Sequence, residues 1–454
     1  MGPAGRNRTP VISFLRMLKD LFRFIQNPIP VLTQYLRESG DTFLLFLTPR
    51  SKALVTTKPE LIQYVLQKNH RNFKKSHLQT DHLAHFIGRG LLTSNGAYWL
   101  QQRRLIQPGF HRKKLQGLVE IMLREINTYI DQLHQRIRSN DQVEIAFEMT
   151  MLTFNVVSKS LFSTDVEESV LSRLSQNFNA IQSFIVKPIR QPFLIPWYKA
   201  TGQWKKHELI AADLKEIVLN IIRQRRQSGK HPDDLLDMLL EARYEDTGEG
   251  MTDQQLLEEC LILFIAGHET TANAMAWAWY LLCRHPACLK QLRAEIKTVL
   301  GSEPPSFDTI PKLEYTSSVL QEVMRLYPPA WILDRVPIED DQFEDLSLPK
   351  GRNIGLYIYG IHHDPKYWPE PEQFEPARFT KEEINKRPSF AYLPFGGGPR
   401  LCIGANFAMM EMQMMLVRLL QNFEMALVED EEIDLAPYIS LQPASAINIR
   451  LRPV

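Results

Sequence analysis

The feature that most constrains this sequence is a long apolar helical pattern with a polar break near its middle. The segment Cys260 to Cys283 is long enough to cross a bilayer, but it contains His268 to Thr271, which read HETT. A carboxylate in the middle of a bilayer is costly, so a buried helix of a soluble protein is favoured. Thr252 followed by Gln255 predicts a capping box at its start. We therefore predict a central helix over Asp253–Cys283, about 45 Å long at ~1.5 Å per residue.

Helical spacing of apolar residues dominates the rest of the chain. The further helical patterns cover Leu115–Ser139, Leu209–Ser228, Pro286–Leu300 and Phe407–Asn422. Strand-like alternation covers Thr42–Thr56 and Ile332–Ile361, the second with a turn at Pro349-Lys350-Gly351. The sequence has no internal repeat and no linker rich in Gly, Ser or Pro. We therefore predict one domain over residues 1–454, mainly α with a small β part.

The N-terminal segment, residues 1–30, is amphipathic and basic. Its apolar positions at helical spacing are Val11, Ile12, Leu15, Leu18, Phe22 and Ile25, and its basic positions are Arg16, Lys19 and Arg23. Such a helix either packs on the protein body or lies on a membrane surface. Packing is the usual fate of an apolar stripe, so we predict a terminal helix packed on the body. Peripheral contact with a membrane is the alternative.

Composition excludes several classes of protein. The chain has 53 basic and 52 acidic side chains, whereas a nucleic-acid binder needs a concentrated basic surface. An apolar fraction of 44% excludes disordered and collagen-like chains. Four cysteines in 454 residues do not make a disulfide framework, which favours a reducing compartment. We expect a cytoplasmic monomer that binds no nucleic acid.

One of the four cysteines lies in a glycine-rich loop, residues 395–404, with the sequence FGGGPRLCIG. Glycines let backbone N–H groups approach the sulfur, and the helix pattern that begins near Ala405 favours negative charge, so a Cys402 thiolate is stabilised. No Cys or His flanks Cys402 as zinc or an iron–sulfur cluster requires, and Leu401 breaks a nucleotide-binding GxGxxG pattern. A single thiolate on a metal held by a prosthetic group indicates haem iron.

This loop resembles the cysteine loop of the cytochrome P-450 family of haem-thiolate monooxygenases, and the matching positions are Phe395, Gly398, Arg400, Cys402 and Gly404. The resemblance spans roughly residues 30–450, and its further motifs are Trp99 with Arg103, Ala266–Thr271, Glu322 with Arg325, and Pro376–Phe379. It implies the P-450 fold, with haem b between the long central helix and the helix after the cysteine loop. It also implies that Cys402 is the axial ligand of the haem iron.

Glu322 and Arg325 lie three residues apart on a helix that must end before Tyr327-Pro328-Pro329, so they share one face. Taken alone, such a pair is a surface contact of little energetic value. The resemblance implies instead a buried pair joined by Arg378. That network would hold the Pro-rich segment Tyr367–Phe379 and thereby seat the cysteine loop, which is a structural role.

Glu269 and Thr270 form the polar break of the central helix. From the residues alone, a satisfied break in a core helix and a functional acid and alcohol pair are equally open, and Thr270 can bond a carbonyl of its own helix. The resemblance implies the functional alternative, in which Thr270 hydrogen bonds dioxygen bound at the haem and Glu269 relays protons. The small Ala266 and Gly267 would let the haem approach the backbone.

The carboxylates of a haem need hydrogen-bond donors, which the resemblance assigns to Trp99, Arg103, Arg335 and Arg400. Without the resemblance, Arg103 and Arg335 would be interpreted as surface charges. The candidate substrate-pocket residues are Leu92, Phe184, Phe193, Ala330, Trp331 and Ile332, although aromatic stripes are usually core. For the pair His362-His363 we expect a turn or the surface, although one of the two could touch the haem edge.

The resemblance implies a monooxygenase that inserts one oxygen atom of O2 into a C–H bond. The apolar run at residues 183–197 suggests a lid, and the run PPAWIL looks like that of a carotenoid-hydroxylating bacterial branch. Both favour a lipophilic substrate such as a fatty acid, terpenoid or carotenoid. Two other functions stay open. A peroxide-driven peroxygenase would tend to lack the acid and alcohol pair, and a non-catalytic haem sensor would need no proton relay.

Electrons would come from NAD(P)H through a separate ferredoxin or flavodoxin-type donor, because too few residues follow Cys402 to form a flavin or iron–sulfur module. The run Arg112-Lys113-Lys114 is most often a solvated face. In the family this region borders the side where the electron donor docks, so we expect an acidic partner there.

Overall fold

The computed structural model describes residues 9–162 and 168–454 of the chain. Its described helices are α1 Phe14–Gln26, α2 Pro28–Ser39, α3 Pro59–Gln63, α4 Ala84–Ile87, α5 Gly96–Ile106, α6 Arg112–Arg136, α7 Ile145–Phe162, α8 Glu168–Arg190, α9 Ile195–Ala200, α10 Gln203–Ser228, α11 Leu235–Glu241, α12 Asp253–Arg284, α13 Pro286–Leu300, α14 Glu314–Leu326, α15 Ile358–His362, α16 Lys381–Ile384 and α17 Ala405–Asn422. Its described strands are β1 Thr42–Thr48, β2 Ser51–Thr56, β3 Phe73–Lys74, β4 Gln142–Glu144, β5 Leu333–Pro337, β6 Asp341–Phe343, β7 Leu346–Leu348, β8 Ile354–Leu356, β9 Phe423–Leu427, β10 Leu435–Pro437, β11 Leu441–Pro443 and β12 Asn448–Pro453. The prediction of a mainly α chain with a small β part is confirmed.

The described residues form two compact units. The sheet unit consists of the described residues up to Ser76, together with Gln321–Cys402 and Leu435–Gln442. The helical unit consists of the described parts of His77–Leu320, Ile403–Asp434 and Pro443–Val454. Each unit holds part of the residues that the sequence marks as functional.

The helical unit is organised around α12, which has 32 residues. The helix begins as predicted, because the Thr252 side chain accepts a hydrogen bond from the Gln255 N–H and the Gln255 side chain accepts one from the Thr252 N–H. Most of its side chains are buried, and α7 packs along it. The predicted buried central helix is confirmed, with its end at Arg284. Among the described residues, no helix is both long and apolar enough to cross a membrane.

The sheet unit contains a five-stranded sheet in the order β1-β2-β8-β5-β3. Strands β1 and β2 form an antiparallel hairpin that pairs Phe43 with Val55, whereas β8 runs parallel to β2. The two segments predicted to alternate supply β1, β2, β5 and β8. The turn predicted at Pro349-Lys350-Gly351 is present, and Gly351 has a φ of 79°.

The end of the second predicted β segment is instead helix α15. Its residues Ile358, Gly360, Ile361 and His362 are all buried. A short apolar run that is buried on every side has no periodicity that separates a strand from a helix, which is why the prediction failed here.

Helix α1 packs on α2 and β1, as predicted, but most of its apolar stripe does not face the body. Leu15 is 78% exposed and Phe22 is 70% exposed, and Val11 and Leu18 are also exposed. The residues that face the body are Ile12, Met17 and the acidic Asp20. Asp20 accepts hydrogen bonds from Arg16 and Tyr35, which satisfy its buried carboxylate. Met17 and Asp20 therefore face the body, while Leu15, Leu18 and Phe22 face outward.

Candidate functional site

The cysteine loop is closed by backbone hydrogen bonds. The Cys402 N–H donates to the Phe395 carbonyl at 3.0 Å, and the Leu401 N–H donates to the Gly398 carbonyl at 3.0 Å. Gly396 and Gly398 have φ values of 73° and 65°, a region that favours glycine. The chain then continues through Gly404 into α17.

Gly398 is also required by a close approach. A Cβ atom at this position would lie 1.9 Å from the carbonyl oxygen of Leu66. The loop is therefore pressed against the helical turn Tyr64–Lys68 of the same unit, and a side chain at residue 398 would displace it. The glycine that the cysteine-loop motif matches at position 398 thus has a steric reason in this chain.

Cys402 differs from the other three cysteines in its exposure. Cys260 is buried, Cys283 and Cys288 are half-buried, and Cys402 is exposed. Burial raises the pKa of the Cys260 thiol and raises the pKa of the Cys283 thiol to about 12, so both stay neutral near pH 7. Cys402 is the thiol that a bound group can reach most readily.

One buried and one half-buried guanidinium group, those of Arg335 and Arg400, lie in the same unit as Cys402. Arg335 on β5 is almost fully buried, and its Nη1 donates to the Asp334 carbonyl at 2.6 Å. Burial, followed by the charge of Arg335, lowers the pKa of Arg400 to about 10. Two like charges that are partly removed from water and that influence each other favour an anionic ligand, and the haem that the resemblance implies carries two carboxylates. An exposed cysteine, a buried arginine and a half-buried arginine therefore fit a haem.

Trp99 and Arg103, the other predicted carboxylate donors, lie one turn apart on α5 in the helical unit. Trp99 is buried and Arg103 is half-buried, with its Nε donating to the Gln107 side chain at 3.4 Å. The two side chains can share one ligand on this face of α5. Their role toward a haem stays a prediction.

Glu322 and Arg325 form a fully buried ion pair on the last turns of α14. Arg325 Nε lies 2.7 Å from Glu322 Oε2, and its Nη2 lies 2.8 Å from Oε1, so the contact is bidentate. Glu322 also accepts the Glu375 N–H at 2.9 Å, and Arg378 Nε lies 3.5 Å from Glu322 Oε1. The pair is therefore a core element and not a surface contact.

The remaining donors of Arg325 bind backbone carbonyls of His362 and of the Pro-rich segment. Its Nη1 donates to the carbonyls of His362 and Pro371 at 2.9 and 2.7 Å, and its Nη2 donates to the Gln373 carbonyl at 3.1 Å. Its guanidinium also lies 5.2 Å from the centre of the buried Trp368 ring. One side chain thus holds an irregular segment that has few backbone hydrogen bonds of its own.

His362 is placed differently from the expectation of a turn or surface residue. It is fully buried, and its Nε2 accepts the Leu393 N–H at 2.9 Å, two residues before the cysteine loop. Burial, with the charges of His363 and Arg325, lowers the pKa of His362 well below its ordinary value, so the ring is neutral. Through His362, the network around Arg325 reaches the start of the cysteine loop. The sequence hides this because a histidine pair carries no sign of burial.

The polar break of α12 is built from side chains that bond carbonyls one turn earlier. Thr270 donates to the Ala266 carbonyl at 2.8 Å, and Thr271 donates to the Gly267 carbonyl at 2.9 Å. His268 Nδ1 lies 3.1 Å from the Phe264 carbonyl, and burial lowers the His268 pKa to about 4. Such bonds weaken the regular helical ladder at this point.

Glu269 is half-buried and accepts a hydrogen bond from Gln182 Nε2 of α8 at 2.6 Å. This contact fixes the carboxylate beside Thr270. Gly267 packs toward α7, since a Cβ there would lie 3.3 Å from Val157 Cγ2, whereas Ala266 is exposed. Close packing on α7 explains the glycine, and Ala266 is the position where the backbone of α12 is open.

Glu411 is a buried acid that the sequence reading missed. It lies on α17 with no exposed surface, near Thr271 of α12. Neither carboxyl oxygen reaches hydrogen-bonding geometry with a protein group, and burial raises the Glu411 pKa well above its ordinary value. Burial therefore favours the protonated form of this carboxyl group. An acid within an apolar, Met-rich helix was the available signal.

Glu411→Gln should make stability less dependent on pH. Between its ordinary pKa and its raised folded pKa, Glu411 binds a proton in the folded chain but has released it in the unfolded chain. Its contribution is complete below the ordinary pKa and is lost as pH rises. In denaturant unfolding, the free energy of unfolding of the variant should rise relative to that of the wild type by up to about 1.4 kcal/mol per pH unit above pH 5. The exposed Glu382→Gln is the control, and parallel profiles for Glu411→Gln and wild type would contradict the assignment.

The candidate substrate-pocket residues fall into different surroundings. Phe184 is buried in an aromatic cluster and stacks on His207 at 3.9 Å, and Trp331 is core, with its indole donating to the Tyr438 carbonyl at 3.0 Å. Phe193 is exposed. Leu92, Ala330 and Ile332 are half-buried. Phe184 and Trp331 therefore each have a packing role within their own unit.

Comparisons with known proteins cover nearly the whole chain. The family model described as Cytochrome P-450 matches residues 5–447. Cyclooctat-9-en-7-ol 5-monooxygenase from Streptomyces melanosporofaciens is 32% identical over 372 residues, which are 82% of this chain and 80% of that protein. A cytokinin hydroxylase from Arabidopsis thaliana is 30% identical over 442 residues, which are 94% of this chain and 84% of that protein. Among solved structures, the heme domain of a cytochrome P-450DA mutant aligns with a TM-score of 0.87 at 26% identity, over 95% of both chains.

Proposed function

Because this chain belongs to the cytochrome P-450 family and is a P-450 monooxygenase, we propose that it hydroxylates a lipophilic small molecule with electrons from a separate redox protein. The family implies a haem cofactor, which supplies the activation of dioxygen when bound. The assignment of the haem ligand rests on one observation. Cys402 is exposed, and its loop packs closely against Leu66 at Gly398. Cys402 is proposed as the axial ligand.

The charge balance around Cys402 supports a thiolate. The sulfur is followed three residues later by the N-terminus of α17, whose backbone N–H groups favour negative charge. Arg335 and Arg400 add positive charge in the same unit, and we assign them to the haem carboxylates. Trp99 and Arg103 are proposed as further carboxylate donors on α5.

Glu269 and Thr270 are the proposed proton-handling pair. The Thr270 hydroxyl donates its hydrogen to the Ala266 carbonyl. Its oxygen can therefore accept a hydrogen bond from a proton donor. Glu269, fixed by Gln182, can receive and release protons next to it. This pair favours dioxygen chemistry over the peroxide-driven alternative.

Thr270→Ala should uncouple electron use from product formation. Without the hydroxyl, proton delivery is no longer directed, and positioned proton transfer contributes about 10²- to 10⁴-fold to a rate. We expect the product formed per NAD(P)H consumed to fall at least about tenfold, with hydrogen peroxide released in its place. Thr270→Ser keeps the hydroxyl and should restore coupling. A Thr270→Ala enzyme as tightly coupled as wild type would rule out this role.

The substrate class is argued from the chain and its relatives. One relative is named for cyclooctat-9-en-7-ol and another for cytokinin, so relatives of similar identity act on different compounds. The apolar run at 183–197, with exposed Phe193 and Trp197, favours a lipophilic ligand such as a fatty acid, terpenoid or carotenoid. The pocket, and not the fold, sets this choice.

A spectral screen tests the proposed substrate class. The purified ferric protein is titrated with fatty acids, terpenoids, carotenoids and polar controls, and the shift from low-spin to high-spin iron reports displacement of bound water. Compounds that give the shift are then turned over with ¹⁸O-labelled dioxygen or ¹⁸O-labelled peroxide. Label from dioxygen supports the proposal, and label from peroxide alone supports the peroxygenase.

The electron donor is proposed to be an acidic ferredoxin or flavodoxin-type protein. Lys113 and Arg104 are exposed on α6 and α5, whereas Lys114 is engaged by Asp233 at 2.7 Å, and the Arg112 side chain lies outside the described residues. The exposed cations supply a positive surface for such a partner.

A further inference from the structure

The outward stripe of α1 is a group of exposed apolar side chains in the sheet unit. The α1 stripe consists of Val11, Leu15, Leu18, Leu21 and Phe22, which are 45%, 78%, 50%, 41% and 70% exposed. Leu15, Leu18 and Phe22 follow helical spacing and lie on one side of the helix, and Val11 precedes the helix. Single exposed apolar side chains need no explanation, but a continuous row of them marks an interaction site.

The orientation of the stripe is fixed by the attachments of α1. Before the helix, the Ile12 N–H donates to the Leu44 carbonyl, and the Leu44 N–H donates to the Pro10 carbonyl, both at 2.8 Å. Within the helix, Asp20 accepts hydrogen bonds from Arg16 at 2.7 Å and from Tyr35 at 3.0 Å. Rotating the stripe inward would break these bonds, so its exposure belongs to the fold and is not the fraying of a chain end.

The charges beside the stripe are positive. Asp20, which is the acidic residue of α1, is buried and neutralised by Arg16, and Arg16 is further met by Glu38 of α2 at 3.4 Å. Arg23 touches Asp20 at 3.5 Å, but its side chain is 57% exposed, and Lys19 is exposed as well. The outer side of α1 thus presents apolar and cationic groups.

We propose that α1 lies on the surface of an anionic lipid membrane, with the α1 stripe in the acyl boundary and Lys19 and Arg23 among the headgroups. A helix of 13 residues is too short to span a bilayer but long enough to lie on one. A second copy of the chain is disfavoured as the occupant, because pairing the stripes would bring Lys19 and Arg23 of both copies together. The inference does not depend on the proposed substrate, so either can fail alone.

Vesicle flotation of the full-length, haem-loaded protein tests this inference. We expect binding to vesicles of phosphatidylcholine with phosphatidylserine, weaker binding to phosphatidylcholine alone, and a loss of the difference at high salt. Leu15→Glu combined with Phe22→Glu should lower the partition coefficient at least about tenfold on anionic vesicles. Lys19→Gln combined with Arg23→Gln should lower it about tenfold on anionic vesicles, with little change on phosphatidylcholine.

The matched control is Ile338→Glu combined with Ile384→Glu. These side chains are 41% and 42% exposed in the sheet unit, so the control introduces the same charge at equally exposed sites. Binding that falls equally in the control and in the stripe variant overturns the proposal. So does a wild type that fails to bind anionic vesicles, or one that sediments as a dimer which the stripe variant converts to a monomer.

Discussion

Cys402→Ser is expected to abolish the thiolate signature of the reduced, carbon monoxide-bound haem and to bring monooxygenase activity below detection. As the proposed haem ligand, the Cys402 thiolate would supply the electron density that favours O–O cleavage, and a serine hydroxyl would not replace it. The substitution changes one exposed atom in a loop closed by the backbone bonds of residues 395 and 398. The loop should therefore keep its shape, and the loss should be chemical.

The control for this prediction is Cys288→Ser, because Cys288 is a half-buried thiol distant in sequence from the cysteine loop. It should leave the spectrum of the carbon monoxide complex unchanged. Haem content is measured in parallel by pyridine extraction, which separates loss of the ligand from loss of the cofactor. An unaltered spectrum in Cys402→Ser would contradict the assignment of the axial ligand.

Glu322→Ala is expected to cost about 3–5 kcal/mol in the free energy of unfolding and to leave little haem-loaded protein. The variant leaves the fully buried Arg325 guanidinium without its carboxylate partner and removes the acceptor of the Glu375 N–H. Arg325 also binds the carbonyls of His362, Pro371 and Gln373, so its displacement should release the Pro-rich segment. Because His362 bonds Leu393, that release should reach the cysteine loop.

Denaturant unfolding and the haem-to-protein ratio measure this effect. Glu322→Gln keeps two polar atoms but loses the charge, and it should lie between the alanine variant and wild type. Glu383→Ala removes the exposed carboxylate that pairs with Lys386 and should change neither quantity appreciably. Normal haem content and stability in Glu322→Ala would show that the network does not support the loop.

Much of the fold was predictable from the sequence because long helices carry their own signals. The predicted segment Pro286–Leu300 matches α13 residue for residue, and the capping box at Thr252 sets the start of α12. The short strands β4, β9 and β12 were missed, since three to six residues give too little alternation and depend on partners far along the chain. Helix α15 was predicted as a strand because its residues are buried on every side and show no periodicity.

The residues of the candidate site also divide into those that the sequence predicted and those that it did not. The sequence predicted the Cys402 loop and the segment Ala266–Thr271, because their residue types are unusual in their local context or cost free energy when buried. Glu411 and His362 were not, since the role of each depends on a neighbour from a distant segment, Thr271 in one case and Leu393 in the other. A single sequence does not tell which partner will be present.

The sequence by itself determined the helical class, the central helix with its polar break, and the cysteine loop whose glycines allow a thiolate to be surrounded by N–H groups. These are local properties, set by periodicity, caps and backbone freedom. Tertiary structure alone decided that Glu322 and Arg325 are buried, that His362 is a neutral acceptor, and that α1 turns its apolar side outward. Burial is a property of the whole packed chain, so a stripe or an ion pair acquires its meaning only from what packs against it.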